Sequence, residues 1–119
     1  MGKLGKIHVA SFSTGNVTSA GSYPAAADRI TLPAGALVLR ASMSEQTAFA
    51  GGTNIQLKAG STALMSVLAT GSIADYNSFS LTVANQKLTA PAALEIATTG
   101  TYSAGNGTVH VEYVIEADE

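Results

Sequence analysis

The chain has 119 residues, of which 46% are hydrophobic and only 12% are charged, with a net charge of −2. This length suits one domain with a core and is too short for two. The basic residues are scattered singly, so no basic stripe for nucleic acid is predicted. Because there is no cysteine, disulfides, thiolate nucleophiles and Cys-ligated zinc are excluded. So little charge gives weak colloidal protection, which favours burial of some surface in an assembly.

The N-terminal part predicts one strand followed by a polar segment. After two lysines the run "MGKLGKIHVASFS" soon turns polar, so it predicts neither a signal peptide nor a membrane span. "KIHVASFS" alternates as a strand does, whereas residues 11–27 are small and polar and predict a long loop or extended arm. "YPAAAD" predicts one helical turn. We therefore expect residues 1–27 to be a strand with an arm, and residues 28–119 the body of a single domain.

The middle of the chain predicts alternating strands. "DRITL" and "TNIQLKAG" each place aliphatic residues at every second position, as a half-buried antiparallel strand requires. "TALMSVLA" is apolar on both faces and predicts a fully buried strand. In "ALVLRASM", the alternation predicts one face made of Leu37, Leu39, Ala41 and Met43, and another made of Val38, Arg40 and Ser42.

The last third predicts a hairpin. "FSLTVAN", "ALEIATT" and "TVHVEYVIE" alternate, and Asn106-Gly107 suits a type I′ turn that would pair "LEIATTGTYS" with "TVHVEYVIE". Glu95 and Glu112 would then face each other, so a lysine or a subunit contact should lie nearby. About eight short strands with a turn signal every eight to twelve residues predict an all-β, single-domain antiparallel sandwich of jelly-roll-like type.

Three polar residues on strands are the only candidates for a metal site. His110 and Glu112 are two positions apart and share a face, and His8 would complete a triad if the first and last strands were neighbours. Paired polar side chains on strands usually form a solvated or cross-strand face, so we predict no metal and no cofactor. Val109, Val111, Tyr113 and Ile115 should then fill the interior, opposite the wet or partner-facing His110 and Glu112.

No pattern for covalent or phosphate chemistry is present. There is no nucleophile elbow Gly-x-Ser-x-Gly, and "GNGTVH" leads into a strand, whereas a phosphate cradle needs a helix N-terminus. We therefore predict no catalytic residues and no enzyme, and a cupin-like enzyme ranks last among the alternatives.

Three stretches resemble the small β-sandwich proteins that decorate the heads of tailed bacteriophages. They are "ITLPAGALVLRASMSEQTAF", "GGTNIQLKAG" and "KLTAPAALEIATTGTYSAGNGTVHVEYVIE", which together cover roughly residues 28–116. The likeness lies in composition and strand order. It implies a capsid decoration or cement protein, made in the host cytoplasm, that binds the shell of major capsid protein on the outside of the virion. It also implies a homo-oligomer, usually a trimer, with no nucleic-acid or membrane partner.

Interface residues follow from this hypothesis. The apolar residues on the second faces of the strands are candidates for burial against a partner, although each also fits an ordinary core. The candidates are Phe12, Tyr23, Val38, Phe79 and Val114. The arm around Lys3 to Tyr23 is the expected capsid-facing or subunit-swapping element, and deletion of residues 1–24 is expected to abolish head binding and leave the sandwich folded.

The alternative is a tail-fibre or spike module that binds carbohydrate or a receptor. Sugar sites commonly use exposed aromatic rings, and Tyr23, Tyr76 and Tyr102 lie in predicted loops. The absence of tryptophan weighs against this hypothesis.

Overall fold

The computed structural model describes residues 6–69 and 76–115. It confirms an all-β antiparallel sandwich in one domain. In this part of the chain, two single turns of 3-10 helix, Ala26–Asp28 and Val83–Asn85, accompany the strands. The strands in the described residues are β1 (His8–Ser13), β2 (Gly21–Tyr23), β3 (Thr31–Leu32), β4 (Ala36–Gly51), β5 (Asn54–Ala59), β6 (Thr62–Ala63), β7 (Leu68–Ala69), β8 (Tyr76–Phe79), β9 (Ala92–Thr99) and β10 (Tyr102–Ile115).

The strands form two sheets. The first has the order β1-β10-β4-β8, and the second has the order β2-β9-β5-β6, with β3 also paired to β9 and β7 to β5. The first and last strands are neighbours: β1 runs antiparallel to β10 in an unbroken register from His8 opposite Tyr113 to Ser13 opposite Thr108. β1 and β2, which fall within the predicted arm, therefore belong to opposite layers of the sandwich.

The core lies between the two sheets and follows from the period-two alternation. In β5 the buried residues Ile55 and Leu57 alternate with half-buried polar ones, and in β9 Leu94 and Ile96 do the same. The other sheet contributes buried residues that include Val109, as predicted. Burial of each large aliphatic side chain stabilises the fold by about 1.5–3 kcal/mol, so this alternation is what holds the layers together.

The predicted faces of β4 are wrong on one side of a bulge. Glu112 lies opposite Arg40 but Tyr113 lies opposite Val38, so Leu39 is an extra residue in β4. A bulge of this kind reverses which side chains point inward. Ala41 and Met43 are buried as predicted, whereas before the bulge the buried residues are Ala36 and Val38, with Leu37 and Leu39 only half-buried.

The predicted hairpin at Asn106-Gly107 is also wrong. Both residues lie inside β10, where Asn106 pairs with Thr47 and Gly107 with Glu45. A Cβ at Gly107 would lie 3.0 Å from Sδ of Met43, so a side chain here would require this core methionine to shift by a few tenths of an ångström. β9 and β10 do not pair; they belong to different sheets, and the chain crosses between the sheets at Gly100 and Thr101.

The segment "TALMSVLA" is not one buried strand. It forms the two-residue strands β6 and β7, both paired with β5, and the residues between them diverge in burial. Leu64 and Met65 are buried, but Val67 is 59% exposed. A run that is apolar throughout therefore includes a connection at the surface as well as core positions.

Candidate interaction surface

The four-stranded sheet turns one face away from the core, and we call this its outer face. Because side chains alternate along each strand, the register places Ser11, His110, Ser42 and Ser78 in one row across all four strands. The next row contains Val9, Glu112 and Arg40. These residues are exposed or half-buried. The outer face is thus broad, mostly hydroxylated and poor in charge.

Polar groups on the outer face are paired with one another. Oγ of Ser11 lies 2.8 Å from Nδ1 of His110. Nε of Arg40 lies 2.8 Å from Oε1 of Glu112, and the Arg40 side chain is 74% exposed. An exposed ion pair of this kind contributes at most about 1 kcal/mol. Its main effect is to cancel charge, which leaves the face nearly neutral.

The three candidate metal ligands are not brought together. His110 and Glu112 share the outer face as predicted, but His8 is opposite Tyr113 on the other face of the sheet. Its imidazole stacks on the Tyr113 ring, with centroids 5.2 Å apart and planes inclined by 22°. Within residues 6–69 and 76–115, no group of three or more His, Cys, Asp or Glu side chains is placed to hold a metal ion.

Most of the candidate interface residues are occupied within the protomer. Phe12, Val38 and Phe79 are buried in the core, and Val114 is 1% exposed. Tyr23 is half-buried and packs against the core. Their location therefore matches the ordinary core that the sequence also allowed, and these side chains have little free surface to offer a partner.

The tyrosines proposed for sugar binding are also engaged. Tyr102 is buried and its hydroxyl donates to the carbonyl of Asn54 at 2.9 Å. The Tyr23 hydroxyl donates to the carbonyl of Ser19 and accepts from the backbone N–H of the same residue. The Ser19 side chain, more than any other group, lowers the pKa of Tyr23 below its usual value, and backbone hydrogen bonds from this loop add to the effect. The side chain of Tyr76 lies outside the described part.

The two half-buried glutamates have separate partners rather than each other. Glu112 pairs with Arg40, whereas Glu95 of β9 lies opposite Lys58 of β5 and 3.5 Å from the guanidinium of Arg29. The expectation that the two glutamates face each other is therefore wrong, because they belong to different sheets; the cross-strand partner of Glu95 is Lys58.

The surface feature that sequence analysis missed is the edge strand β1. Among the described residues, β1 pairs only with β10, so its other edge is open. Ile7 is 60% and Val9 is 61% exposed beside this edge. The signal was present in "IHVASFS": it has apolar residues at both odd and even positions and no charge, so both faces of the strand have apolar side chains to cover.

A groove lies alongside this edge. It has a volume of about 750 Å³ and runs between β1 and the rim of the second sheet. One wall is Ser11–Thr14 with the following turn, and the other is β2 with Pro24, Ala25 and Asp28. Phe12 and Ile30 supply apolar surface, and among the described residues of the lining Asp28 is the one that is formally charged. The groove is therefore uncharged over most of its length.

The described residues include no helix of the length and apolar character needed to cross a membrane.

Comparisons with known proteins give matches in fold and none in sequence. No protein-family model matches the chain, and no curated protein matches it. A chain in the acidic stable capsid structure of Helicobacter pylori bacteriophage KHP30 is similar, with a TM-score of 0.69 and 14% identity, over 100% of this chain and 98% of that chain. A chain in the capsid asymmetric unit of cyanophage Pam1 is similar with a TM-score of 0.60 and 17% identity, over 96% of this chain and 86% of that chain. At these identities the likeness shows that the whole sandwich fold is shared with chains found in two phage capsids.

Proposed function

We propose that this chain is a structural protein of a bacteriophage head. The observation that carries the proposal is the match of fold over essentially the whole chain to chains of two phage capsids. Because the match covers 98% and 86% of those chains, it concerns complete domains of similar size rather than a shared fragment. A fold by itself does not specify function, so the surface of the molecule has to support the same role.

Within the head, the proposed role is that of a decoration or cement protein on the outside of the shell. A protein that acts in many copies needs a stable body and a contact surface. The outer face and the β1 edge offer extended, nearly neutral surface, and neutral surface is suited to close contact because little charge has to be desolvated. Many weak contacts between neighbouring coat subunits would add up through multivalency and oppose the outward pressure of packaged DNA.

The proposed form is a homo-oligomer, and a trimer in particular. The low charge of the chain favours burial of surface between copies. Light scattering at several protein concentrations measures this directly: we expect a mass of about three times the 12.0 kDa chain. A monomer at all concentrations would refute the oligomer, and a stable dimer would refute the trimer.

The proposed role is mechanical and requires no catalytic group or metal. His110 and Glu112 take part in local polar pairs on the outer face in this proposal. Metal analysis of the purified chain tests this part, since stoichiometric iron, manganese or zinc would contradict it.

The decisive experiment uses heads of the phage that encodes this chain, prepared without it. Purified chain is added, the heads are sedimented, and bound chain is quantified; the temperature at which the heads release DNA is then measured with and without it. We expect saturable binding and a higher release temperature. Absence of co-sedimentation would refute the decoration role, and binding without any change in release temperature would refute the stabilising one.

A further inference from the structure

We propose that the open edge of β1 is the docking site for an extended segment of the coat subunit, which adds a fifth strand to the four-stranded sheet. This inference rests on the proposed function and names the partner surface that the function requires. Strand addition of this kind takes its affinity from main-chain hydrogen bonds and its selectivity from side chains at alternate positions.

The backbone of β1 offers the hydrogen-bonding groups for this pairing. The N–H of Thr14 donates to the carbonyl of Gly107 at 2.8 Å, which fixes the phase of the ladder. In an antiparallel pair, residues alternate between bonding to the neighbour and pointing away from it. The backbone N–H and C=O groups of Phe12 and Ala10 point toward β10, as those of Thr14 do, because these residues lie at every second position. The N–H and C=O groups of Ser13, Ser11 and Val9 therefore point toward the open side.

The β2 edge of the second sheet, on the other side of the groove, is protected, but the β1 edge of the first sheet is not. Proteins usually shield sheet edges with short strands, proline, bulges or charged side chains. Strand β2 is followed directly by Pro24. The guanidinium of Arg29 also covers this edge, since it donates to the carbonyls of Ser22 and Pro24 at 3.5 and 2.9 Å. β1 instead has six residues in unbroken register, without proline, lysine, acidic residue or bulge.

The other strands at the ends of the two sheets are short. β6 and β7 have two residues each, and β8 has four. At about 3.4 Å per residue, β1 presents an edge of about 20 Å. Among the described end strands, β1 is thus the longest, and it lacks a protecting device.

The groove indicates what kind of segment fits. It holds about 750 Å³ beside the β1 edge, and its described lining is uncharged apart from Asp28, so it suits a single extended chain without acidic residues. On the outer face, the exposed side chains of Ile7 and Val9 would pack against aliphatic residues at alternate positions of the partner segment. Farther along β1, Ser11 and Ser13 suit small or polar ones.

A coat segment fits this groove better than a second copy does. The same edge of another copy comes with a second layer, because β2 with Pro24, Ala25 and Asp28 forms the opposite wall of its groove. If the β1 edges of two copies paired, the β2 walls of their two grooves would also be brought against each other. A single extended segment instead lies between β1 and the β2 wall of one copy. Pairing between copies is therefore an outcome of the test and not the proposal.

The test uses the full chain and heads prepared without it. Val9→Pro removes an N–H that points to the open side and leaves the bonds to β10 in place, since proline is tolerated at such edge positions. Val9→Lys adds a charge beside the edge. The matched control is Val67→Lys, because Val67 is 59% exposed and lies far from β1 in sequence, between β6 and β7.

We expect either Val9 variant to weaken binding to heads by about tenfold or more, because main-chain pairing or apolar contact is lost, and Val67→Lys to bind as the wild type does. Hydrogen exchange on bound wild-type chain should show slowed exchange at the amides of Val9, Ser11 and Ser13. Circular dichroism and thermal unfolding establish that each variant is folded; if Val9→Pro does not fold, Val9→Lys and the exchange data decide.

The outcomes separate this inference from the proposed function. If the wild type does not bind heads, the decoration role itself fails. If the wild type binds but both Val9 variants bind equally well, or if the β1 amides are not protected, the docking site is elsewhere. If Val9→Lys instead breaks up an oligomer of the free chain, β1 joins copies to one another and the coat segment is the wrong occupant.

Discussion

Substitution of Gly52 by alanine is the sharpest test of how the two layers are joined. Gly52 lies between β4 and β5, has a φ of +67°, and packs under the Tyr102 ring so closely that a Cβ would overlap the ring. Tyr102 is itself held by the hydrogen bond from its hydroxyl to Asn54 and by an edge-on contact with Phe49, with ring centroids 6.2 Å apart. The ring is therefore fixed from two sides.

The size of the effect follows from two separate terms. A left-handed backbone costs a residue with a Cβ about 1–2 kcal/mol, and forcing an extra carbon into a packed site costs about 1–3 kcal/mol. Gly52→Ala should thus lower the free energy of unfolding by about 2–5 kcal/mol. With an unfolding entropy of about 2.1 cal/mol/K per residue over 119 residues, each kcal/mol corresponds to about 4 °C, so Tm should fall by about 8–20 °C.

The matched control is Gly15→Ala. Gly15 has nearly the same φ, +69°, but a Cβ there would meet nothing within 4 Å, so only the backbone term of about 1–2 kcal/mol applies. Thermal unfolding of both variants at one protein concentration gives the comparison, since association shifts Tm. In a Tyr102→Leu background, the effect of Gly52→Ala should shrink to that of Gly15→Ala. Equal losses for the two glycine variants in the wild-type background would refute the role of the ring.

Two further predictions compare matched positions. Leu57→Ala, at a fully buried position of β5, should lower the free energy of unfolding by about 2–5 kcal/mol. Val67→Ala, at an exposed position, should change it by less than about 0.5 kcal/mol. Similar denaturation midpoints for the two variants would contradict the described core. Arg29→Met should cost about 1–3 kcal/mol because it leaves the carbonyl of Pro24 and the half-buried Glu95 without their charged partner. Arg40→Met should cost at most about 1 kcal/mol, since its ion pair is exposed, and the reverse order of the two arginine variants in chemical denaturation would refute this assignment.

The alternation of side chains was sufficient to predict the fold class. Where a strand has one buried and one wet face, as in β5, period-two hydrophobicity identifies both the strand and its inward residues. The same pattern failed in β4, because an extra residue at Leu39 shifts the phase by one and nothing in "LVLRA" distinguishes a bulge from regular strand. Which residues of a strand point inward after a bulge depends on how the strand pairs with its neighbour, and the sequence of one strand alone does not show this.

Glycine signals were ambiguous for a related reason. Asn106-Gly107 has the sequence of a tight turn, yet Gly107 lies within β10, where it pairs with Glu45 and packs close to Met43. The local preference of Asn-Gly for a turn is outweighed by the pairing of two strands as long as β4 and β10. The candidate surface was harder still to predict, since whether Val9 is core or surface depends on which sheet face its strand turns outward.

The pairing of β1 with β10 also has a consequence for how the protein is made. Ser11 and His110, which meet across these strands, are 99 positions apart in the chain. On a ribosome β1 emerges early, and almost the entire remainder of the chain has to be synthesised before β10 is available. During that interval the backbone groups along both of its edges are unpaired. Nascent chains in a crowded cell are thus exposed to mutual aggregation at this strand, which predicts that slowed translation or a C-terminal truncation is tolerated poorly.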